Sequence, residues 1–329
     1  MVANTEKMTI LVTGCAGFIG SHTTQALLKK GYNVIGIDNL NDYYNPEWKK
    51  QNLAQFKHEN NFTYHCLDII DQEKTGKIFA QAQQQNQPIK KIVHLAARAG
   101  VRPSIQNPIL YEQTNVLGTL NLLELAKDFE IPHFIFASSS SVYGNQAKTP
   151  FSEIDPVNKP ISPYAATKKA GEMLCHTYAH LYNINTTCLR FFTVYGPAGR
   201  PDMAPYLFTE AIMKNKEIKK FGDGTSKRDY TYIDDIVAGV VAAVEKPFEF
   251  EIINLGNNQP VSLNEFITTL EQIIGNKAKI NSMPMQPGDV AQTYADINKA
   301  KQLLDFEPKT SLKQGLAKFV AWYQDNRLN

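Results

Sequence analysis

Residues Met8–Gly20 read MTILVTGCAGFIG, and this stretch decides the fold class. Its first six residues form an apolar, β-branched run typical of a buried strand, and Gly14, Gly17 and Gly20 follow at once. A helical pattern begins at Phe18. Glycines in a tight turn let a phosphate approach the backbone, and a helix N-terminus supplies free N–H groups and the positive end of the helix dipole. The stretch therefore predicts a strand, a phosphate-binding turn and a helix.

A carboxylate at the end of the next predicted strand indicates which nucleotide binds. Asp38 closes Asn33–Asp38 (NVIGID), 18 positions past Gly20. An acid there accepts hydrogen bonds from both adenine-ribose hydroxyls and repels a 2′-phosphate, so NAD is predicted rather than NADP. The alternative is a tight turn with an incidental aspartate. The other residues expected at the cofactor are Phe18, Ile19, Asn39, Asp68, Ile69, Leu95, Ala96, Ala97, Asn115, Tyr164 and Lys168.

Two residues of this region leave alternatives open. Cys15 lies within the glycine turn, where a helix N-terminus can activate a thiol, or it is simply a small side chain lining the site. Asp68 follows the third predicted strand and either meets the adenine amino group or ends the strand in an ordinary turn.

Strand and helix patterns alternate over the first two-thirds of the chain, which predicts an α/β fold with a doubly wound parallel Rossmann sheet. The nearly continuous apolar runs indicate strands buried on both faces. The strands expected besides Met8–Thr13 and Asn33–Asp38 are Phe62–Leu67, Lys91–Leu95, His133–Ala137, Thr186–Phe191 and Glu251–Leu255. The expected helices are Phe18–Lys30, Gln72–Gln85, Ser104–Phe129, Pro163–Tyr182, Leu207–Lys216 and Asp235–Glu245.

The rhythm breaks after Arg190, where Pro197, Pro201 and Pro205 exclude a continuous helix. This break predicts a smaller interleaved α/β lobe that binds the substrate. We expect residues 1–192 plus 229–260 to form the NAD-binding Rossmann domain, and residues 193–228 plus 261–329 to form the second lobe.

Composition excludes several classes of protein. The 329 residues carry a net charge of +2, so no basic field points to nucleic acid or to an anionic membrane. No apolar run reaches the roughly 18 residues of a spanning helix, and the N-terminus lacks a signal-peptide pattern. Four cysteines without CxxC spacing, and no HExxH motif, predict a reduced, cytoplasmic protein without a metal site.

A second motif indicates catalysis. In SPYAATK, Ser162 is a good N-cap and Pro163 suits the first helical position. Tyr164 and Lys168 are then four residues apart and share one helix face. A phenol is a weak base at neutral pH, and a neighbouring ammonium stabilises its phenolate. Upstream, the strand ending at Ala137 is followed by four serines at the ligand-binding edge of the sheet.

The whole chain resembles the extended short-chain dehydrogenase/reductase family of nucleotide-sugar epimerases and dehydratases. The resemblance rests on TGCAGFIG, DNLNDYY, HLAARAGVRPS, SSSSVYG, SPYAATK, RFFTVYGPAGRPDM, RDYTYIDDI and QPGDV. It implies that Ser139, Tyr164 and Lys168 match the catalytic serine, tyrosine and lysine. It also implies that Asn115 orders the active site, whereas by itself Asn115 is only a polar residue within a helix.

The resemblance also bears on the reaction. Dehydratases of the family have an Asp-Glu pair beside the catalytic serine or threonine, and decarboxylases have a glutamate just before the VYG. Ser140 and Ser141 stand at those positions here. The resemblance therefore implies 4-epimerisation through a transient 4-keto sugar, and it is greatest to UDP-glucuronate 4-epimerases. The alternatives are a UDP-glucose/UDP-galactose 4-epimerase and a non-catalytic NAD-binding regulator.

Substrate residues follow from the same resemblance. We expect Ser139, Ser140, Ser141 and Thr193 to hold the uronate carboxylate. Arg200 either contacts the sugar or diphosphate or is an ordinary surface arginine, and Phe221 either stacks on the uracil or belongs to the core. Arg228 either binds the diphosphate or pairs with Asp229. Asp289 is expected at the uridine ribose. A homodimer through the Ser104–Phe129 and Pro163–Tyr182 helices is expected.

Overall fold

The computed structural model describes residues 8–284 and 290–328. Twelve strands lie in these residues: β1 Thr9–Thr13, β2 Asn33–Asp38, β3 Phe62–Cys66, β4 Ile89–His94, β5 His133–Ser139, β6 Asn185–Phe191, β7 Thr193–Tyr195, β8 Glu217–Phe221, β9 Lys227–Tyr232, β10 Phe250–Leu255, β11 Pro260–Ser262 and β12 Lys279–Met283. Twelve α-helices accompany them: α1 Phe18–Lys29, α2 Pro46–Ala54, α3 Gln72–Gln84, α4 Val101–Gln106, α5 Pro108–Glu112, α6 Gly118–Asp128, α7 Pro163–Tyr182, α8 Ala204–Met213, α9 Ile233–Glu245, α10 Leu263–Ile274, α11 Asn298–Leu304 and α12 Leu312–Arg327.

Seven strands form the main sheet in the order β10-β6-β5-β4-β1-β2-β3. The pairings of β1 with β2 and β4, of β2 with β3 and of β4 with β5 are parallel. All residues of β1 and β5 are buried, which explains the apolar runs Ile10–Val12 and Phe134–Ala137 within them. The strand order reverses between β1 and β4, and ligands of such sheets bind beyond the carboxyl ends of the strands at this switch point. The predicted doubly wound α/β fold is confirmed.

A hydrophobic core lies between this sheet and helices α3, α6 and α7. Phe79 of α3, Leu122 of α6 and Tyr178 of α7 pack with Phe134 and Phe136 of β5. Burying side chains of this size supplies about 1.5–3 kcal/mol each. The core therefore fixes α7, the helix of the Tyr164–Lys168 motif, against β5, the strand of the serine run.

The prediction of a single helix over Ser104–Phe129 is wrong, because the chain forms α4, α5, a π-helical segment and α6 there. Asn107 ends α4 and caps α5 through its side chain, which accepts the Leu110 N–H at 3.3 Å. Pro108 occupies the first turn of α5, a position that needs no N–H donor. A single π-helical segment, Gln113–Leu117, then joins α5 to α6. The chain therefore shifts its helical register at Asn115, as π segments at functional sites often do.

The chain divides into two compact units. The first comprises residues 1–142, 162–190 and 240–253, and the second comprises residues 143–161, 191–239 and 254–329. In the second unit, β7 pairs in parallel with β9, and β11 pairs with β9 in antiparallel fashion. A separate two-stranded sheet contains β8 and β12. The predicted division was made by ligand binding, into an NAD-binding domain and a substrate-binding lobe, and it remains a prediction.

A glycine of α7 tests how tightly this helix packs on the sheet. In Gly171→Ala, the new Cβ would lie 2.3 Å from Cζ of Phe136. The gain in helix propensity is about 1 kcal/mol, and we expect the overlap to exceed it, with a net loss of about 1–3 kcal/mol in the free energy of unfolding. The measurement is urea denaturation.

Gly76→Ala on α3 is the matched control. Its nearest neighbour is the flexible end of Leu125 at 3.3 Å, so we expect a change between zero and about 1 kcal/mol of stabilisation. Equal effects of the two substitutions would contradict the tight packing of α7 on β5.

Candidate active site

The glycine turn brings β1 against the start of the segment that follows β4. Gly14 has a φ of +72°, and a Cβ built on it would lie 2.8 Å from the Ala96 backbone nitrogen. A Cβ on Gly20 would lie 1.9 Å from the Gly14 carbonyl oxygen. Side chains are therefore excluded at both positions, because the protein backbone itself packs closely there.

Helix α1 starts at this turn as an anion site would require. Its N-cap is Gly17, which makes no side-chain cap hydrogen bond, and its first turn has no acidic residue. The first N–H groups and the positive dipole end are thus available to a phosphate. Leu95, Ala96 and Ala97, half-buried, follow β4 on the other side of the switch point.

Asp38 lies where an adenosine ribose is expected. It is buried, and its two carboxylate oxygens accept the N–H groups of Ala16 at 3.1 Å and Leu40 at 2.9 Å. Burial raises the pKa of Asp38, and these backbone donors act in the opposite direction. A carboxylate has about four acceptor positions, so these backbone donors leave acceptor capacity for a ribose hydroxyl. The residues of the turn and Asp38 therefore fit a dinucleotide.

A second polar pair lies just after β2 and β3. Asn39 donates to the Asp68 carboxylate at 2.6 Å, and the other Asp68 oxygen accepts the Ile70 N–H at 3.1 Å. Helix α2, which sequence reasoning missed, supports the glycine turn, because buried Asn52 donates to the Ala16 carbonyl at 3.0 Å. No short motif marks Asn52, and α2 has no amphipathic pattern that could have suggested it.

Of the two interpretations of Cys15, an activated thiol or a small unreactive side chain, the structure supports the second. It is fully buried, and its sulfur packs so closely that a Cβ on Gly36 would lie 2.7 Å from it. Burial raises the pKa of the Cys15 thiol far above its ordinary value, and Asp38 adds to this shift. A protonated, enclosed thiol is a poor nucleophile.

Helix α7 presents the Tyr164–Lys168 pair. Ser162 caps the helix by accepting the Ala165 N–H at 3.1 Å, and Pro163 lies in the first turn. The buried Lys168 Nζ donates to the Ala137 carbonyl at 2.7 Å and lies 5.0 Å from the centre of the Phe136 ring. Burial lowers the pKa of Lys168 to about 8, well below its ordinary value.

Two residues that sequence reasoning missed position Tyr164. The Ser104 hydroxyl accepts the Tyr164 backbone N–H at 3.1 Å and donates to the Val101 carbonyl at 2.6 Å. The buried ring of Tyr111 meets the Tyr164 ring edge-to-face at 6.3 Å between centroids. Both come from the segment predicted as one helix, so their approach to Tyr164 could not be read from helical periodicity.

The side chain of Asn115, in the π segment, organises the same region. It accepts the Arg98 N–H at 2.8 Å and donates to the Arg98 carbonyl and to Thr167 Oγ1, each at 3.0 Å. Thr167 in turn donates to the Tyr164 carbonyl at 2.9 Å. Asn115 therefore joins the loop after β4 to the first turns of α7.

The serine run lies at the end of β5. Ser139 is its last residue, and Ser140 and Ser141 are half-buried in the short 3₁₀ turn that follows. The hydroxyls of Ser139 and Ser141 are 2.7 Å apart, and Ser139 Oγ also accepts the Ser141 N–H at 3.2 Å. Three polar side chains thus stand at the ligand-binding edge of the sheet.

The remaining substrate candidates belong to the second unit. Thr193 begins β7 and pairs with Tyr230, and Phe221 ends β8, half-buried. Arg200 forms a two-bond ion pair with Asp202, at 3.0 and 2.5 Å. Arg228 donates to the Lys227 carbonyl at 2.8 Å. Asp289 lies outside the described residues.

Asp229 has a structural task of its own. It is fully buried, and its carboxylate accepts the N–H groups of Asn257, Asn258 and Ala295 at 2.7–3.1 Å. Burial raises the pKa of Asp229 to about 6, although these donors oppose the shift. Asp229 therefore holds the loops beside β9 in place.

Residues 8–284 and 290–328 contain no cluster of three or more metal-ligating side chains, and none of their helices is long and apolar enough to cross a membrane.

The strand order, with a glycine turn at its switch point, defines a Rossmann-fold protein. The model of the GDP-mannose 4,6 dehydratase family matches residues 11–319. A UDP-glucuronate 4-epimerase of Thermodesulfobacterium geofontis is 48% identical over 317 residues, 96% of either chain. The chain belongs to the extended short-chain dehydrogenase/reductase family, as its motifs predicted.

Solved structures agree with this placement. The structure of UDP-glucuronic acid 4-epimerase from Bacillus cereus with UDP-glucuronic acid and NAD has a TM-score of 0.89 and 40% identity, covering 97% of this chain and 99% of that one. The UDP-glucose 4-epimerase of Thermotoga maritima with UDP-glucose has a TM-score of 0.88 and 35% identity, with the same coverage.

The depressed pKa of Lys168 predicts a pH dependence of stability. Above about pH 8 the folded protein releases the Lys168 proton, whereas the unfolded chain keeps it until about pH 10.4. The unfolded state then binds more protons, so the free energy of unfolding contributed by Lys168 rises with pH across this window and is smallest below it.

Urea denaturation of the wild type and of Lys168→Met at several pH values measures this contribution. The other titrating groups are common to both proteins and cancel in the difference. We expect the wild type to gain stability relative to Lys168→Met as the pH rises from about 8 to about 10. A constant difference would mean that Lys168 titrates alike in both states.

Proposed function

We propose that the protein catalyses the NAD-dependent 4-epimerisation of UDP-glucuronate to UDP-galacturonate. The observation that carries this proposal is the full-length similarity to the Bacillus cereus epimerase, which binds UDP-glucuronic acid and NAD. The position of Ser140 and Ser141 beside Ser139 supports it, because no acid stands there to drive elimination or decarboxylation.

The cofactor residues are proposed as follows. The backbone of Gly14–Gly20 and the start of α1 hold the pyrophosphate, Asp38 holds the adenine ribose, and Asn39 and Asp68 hold the adenine end. When bound, NAD accepts the hydride from C4 of the sugar and returns it to the opposite face, so the reaction has no net redox change.

Tyr164 is the proposed base for the C4 hydroxyl. Ser104 fixes its backbone N–H and Thr167 binds its carbonyl, so the phenol is presented by a rigid helix start. Lys168, one turn away, supplies a positive charge that stabilises the phenolate. Ser139, whose hydroxyl lies 2.7 Å from that of Ser141, is the proposed catalytic serine beside the C4 oxygen.

A uronate brings a particular hazard. The 4-keto intermediate is a β-keto acid, which loses CO2 when the bond to its carboxylate aligns with the carbonyl π system. We propose that Ser139, Ser140, Ser141 and Thr193 hydrogen-bond the carboxylate and keep that bond out of alignment. Arg200 and Arg228 are proposed cation partners of the sugar nucleotide, Phe221 a partner of uracil, and Asp289 a partner of the uridine ribose.

The second candidate function is 4-epimerisation of UDP-glucose and UDP-galactose, favoured by the similarity to the Thermotoga maritima enzyme. Incubation of the purified protein with UDP-glucuronate and, separately, with UDP-glucose, followed by NMR of the products, distinguishes the two. UDP-galacturonate alone supports the proposal, and UDP-galactose would favour the second candidate. A decarboxylated UDP-pentose would contradict the carboxylate-holding role, and NAD binding without turnover would indicate a non-catalytic regulator.

Removal of the Tyr164 hydroxyl is expected to abolish most of the activity. Tyr164→Phe keeps the ring against Tyr111 and loses only the base, so kcat should fall by about 10²–10⁴ with NAD binding retained. Tyr182→Phe, an exposed residue at the end of the same helix, is the control and should keep wild-type kcat. A kcat for Tyr164→Phe within a few-fold of the control would rule out the assigned base.

The carboxylate contact makes a separate prediction. In Thr193→Val, the ratio of UDP-galacturonate to decarboxylated sugar nucleotide, measured by NMR, should fall, because one hydrogen bond to the carboxylate is lost. Thr209→Val on α8, whose buried hydroxyl has no partner among the described residues, is the near-isosteric control. An unchanged ratio in Thr193→Val would refute the idea.

We further propose a homodimer formed by α7 and the segment 101–117. Apolar side chains are exposed there: Ile105, Ile109, Leu117, Met173 and Leu181. An exposed apolar face of this kind is typical of subunit contacts. Sedimentation of the protein against Met173→Lys tests it, and a wild-type monomer would contradict it.

The four unpaired cysteines support the proposal of a reducing, cytoplasmic location. We also propose that residues 1–192 plus 229–260 form the NAD-binding domain and that residues 193–228 plus 261–329 form the lobe that binds the sugar nucleotide.

A further inference from the structure

A buried histidine outside the residues assigned above lies at the centre of a hydrogen-bond chain. His94, the last residue of β4, has its Nδ1 2.7 Å from Thr13 Oγ1 and its Nε2 3.0 Å from Thr119 Oγ1. Thr13 ends β1 immediately before the glycine turn, and Thr119 stands in the first turn of α6. All three side chains are essentially inaccessible to solvent.

The donors and acceptors of the chain can be assigned by counting protons. Thr119 Oγ1 donates its only proton to the Asn115 carbonyl at 2.6 Å, so it must accept from His94, and Nε2 carries the proton. Nδ1 is then an acceptor, and Thr13 donates to it. Thr13 Oγ1 accepts the Ala96 N–H at 3.2 Å. Every proton in the chain therefore has one place, and a neutral imidazole is the only form that fits.

The electrostatic surroundings agree with this assignment. Burial, together with the weaker effect of the nearby Lys168 ammonium, lowers the pKa of His94 to about 3. His94 is therefore neutral at neutral pH, and it acts there as a fixed donor and acceptor rather than as a titrating group.

The two ends of the chain reach the two halves of the site. On one side, Ala96 is the residue whose backbone nitrogen approaches Gly14, so the Thr13 bond fixes the wall of the glycine turn. On the other side, the bond to Thr119 fixes the Asn115 carbonyl in the π segment. The Asn115 side chain continues through Thr167 to the Tyr164 carbonyl.

We propose that His94 is a positioning residue that couples the dinucleotide turn to the start of helix α7. The inference rests on the proposed function for the roles of the glycine turn and Tyr164. Hydrogen bonds along a dry chain hold both halves in one arrangement, and small misplacements of reacting groups cost large factors in rate.

Near-isosteric variants separate the two ends. Thr13→Val frees the Ala96 N–H, so the Kd for NAD, measured by calorimetry, should rise about five- to tenfold, with kcat at saturating NAD little changed. Thr119→Val releases the Asn115 carbonyl and the helix start, so kcat should fall about tenfold or more with the Kd for NAD within about twofold. His94→Phe should show both losses.

A rescue and a matched control accompany these variants. His94→Gln can accept from Thr13 and donate to Thr119, so it should recover much of what His94→Phe loses. His133→Phe is the control: His133 is a buried histidine on neighbouring β5 whose ring nitrogens have no partner among the described residues. It should leave the Kd for NAD and kcat at wild-type values.

The outcomes decide between positioning and mere stabilisation. If the role of His94 is purely structural, every variant should have a lower Tm, but its Kd and kcat should equal the wild-type values at temperatures well below that Tm. That result would overturn the proposal. The same holds if Thr13→Val and Thr119→Val change Kd and kcat alike, without the split. If His94→Phe does not fold, the two threonine variants still decide the question.

Failure of the proposed function gives a different pattern. A wild type that binds NAD but turns over neither UDP-glucuronate nor UDP-glucose would remove the assigned reaction. The coupling would then be read from NAD affinity, because His94→Phe should bind NAD more weakly than His133→Phe whatever the substrate is. Equal NAD affinities in these two variants would refute the role of His94.

Discussion

The buried Lys168 ammonium and its hydrogen bond to the Ala137 carbonyl constrain the rest of the site. An ammonium enclosed by α7 and β5 is costly unless a partner is fixed in place, and the backbone oxygen at 2.7 Å is that partner. This bond fixes the position of α7 along its axis relative to the end of β5. The same helix position places Tyr164 one turn earlier, while β5 continues into Ser139. Gly171, against Phe136, is required because this approach is so close.

The parallel sheet concentrates the chemistry at one edge. The glycine turn follows β1, Asp38 ends β2, the Leu95–Ala97 segment follows β4 and Ser139 ends β5. Residues distant in sequence meet there because the carboxyl ends of parallel strands share an edge. A near-neutral chain can therefore bind an anionic dinucleotide, since local N–H groups and a helix dipole replace an overall positive charge.

The sequence predicted most of this framework because its signals are local. Unbroken apolar runs indicated the strands, glycine spacing indicated the turn, and the Ser162–Pro163 cap indicated α7 with its four-residue spacing. The prediction failed in the segment 101–128, where a single helix was expected. Periodicity measures an average apolar face, and it missed both the break at Asn107–Pro108 and the register shift at Asn115. Ser104, Tyr111 and Thr119 act through partners far away in sequence, so no local pattern identifies them.

The four serines show why even a correct motif leaves the assignment of roles to the fold. Side chains alternate across a strand, so identical neighbours on β5 face different surroundings. Ser138 points into the core and donates to Glu172 at 2.6 Å. Glu172 also receives two bonds from buried Arg190, at 2.7 and 2.9 Å, and so completes a satisfied ion pair between α7 and β6. Ser139 points the other way and bonds to Ser141. Because a shift of one residue would break the bond from Ser138 to Glu172, this buried carboxylate fixes the register that leaves Ser139, and not Ser138, at the ligand-binding edge.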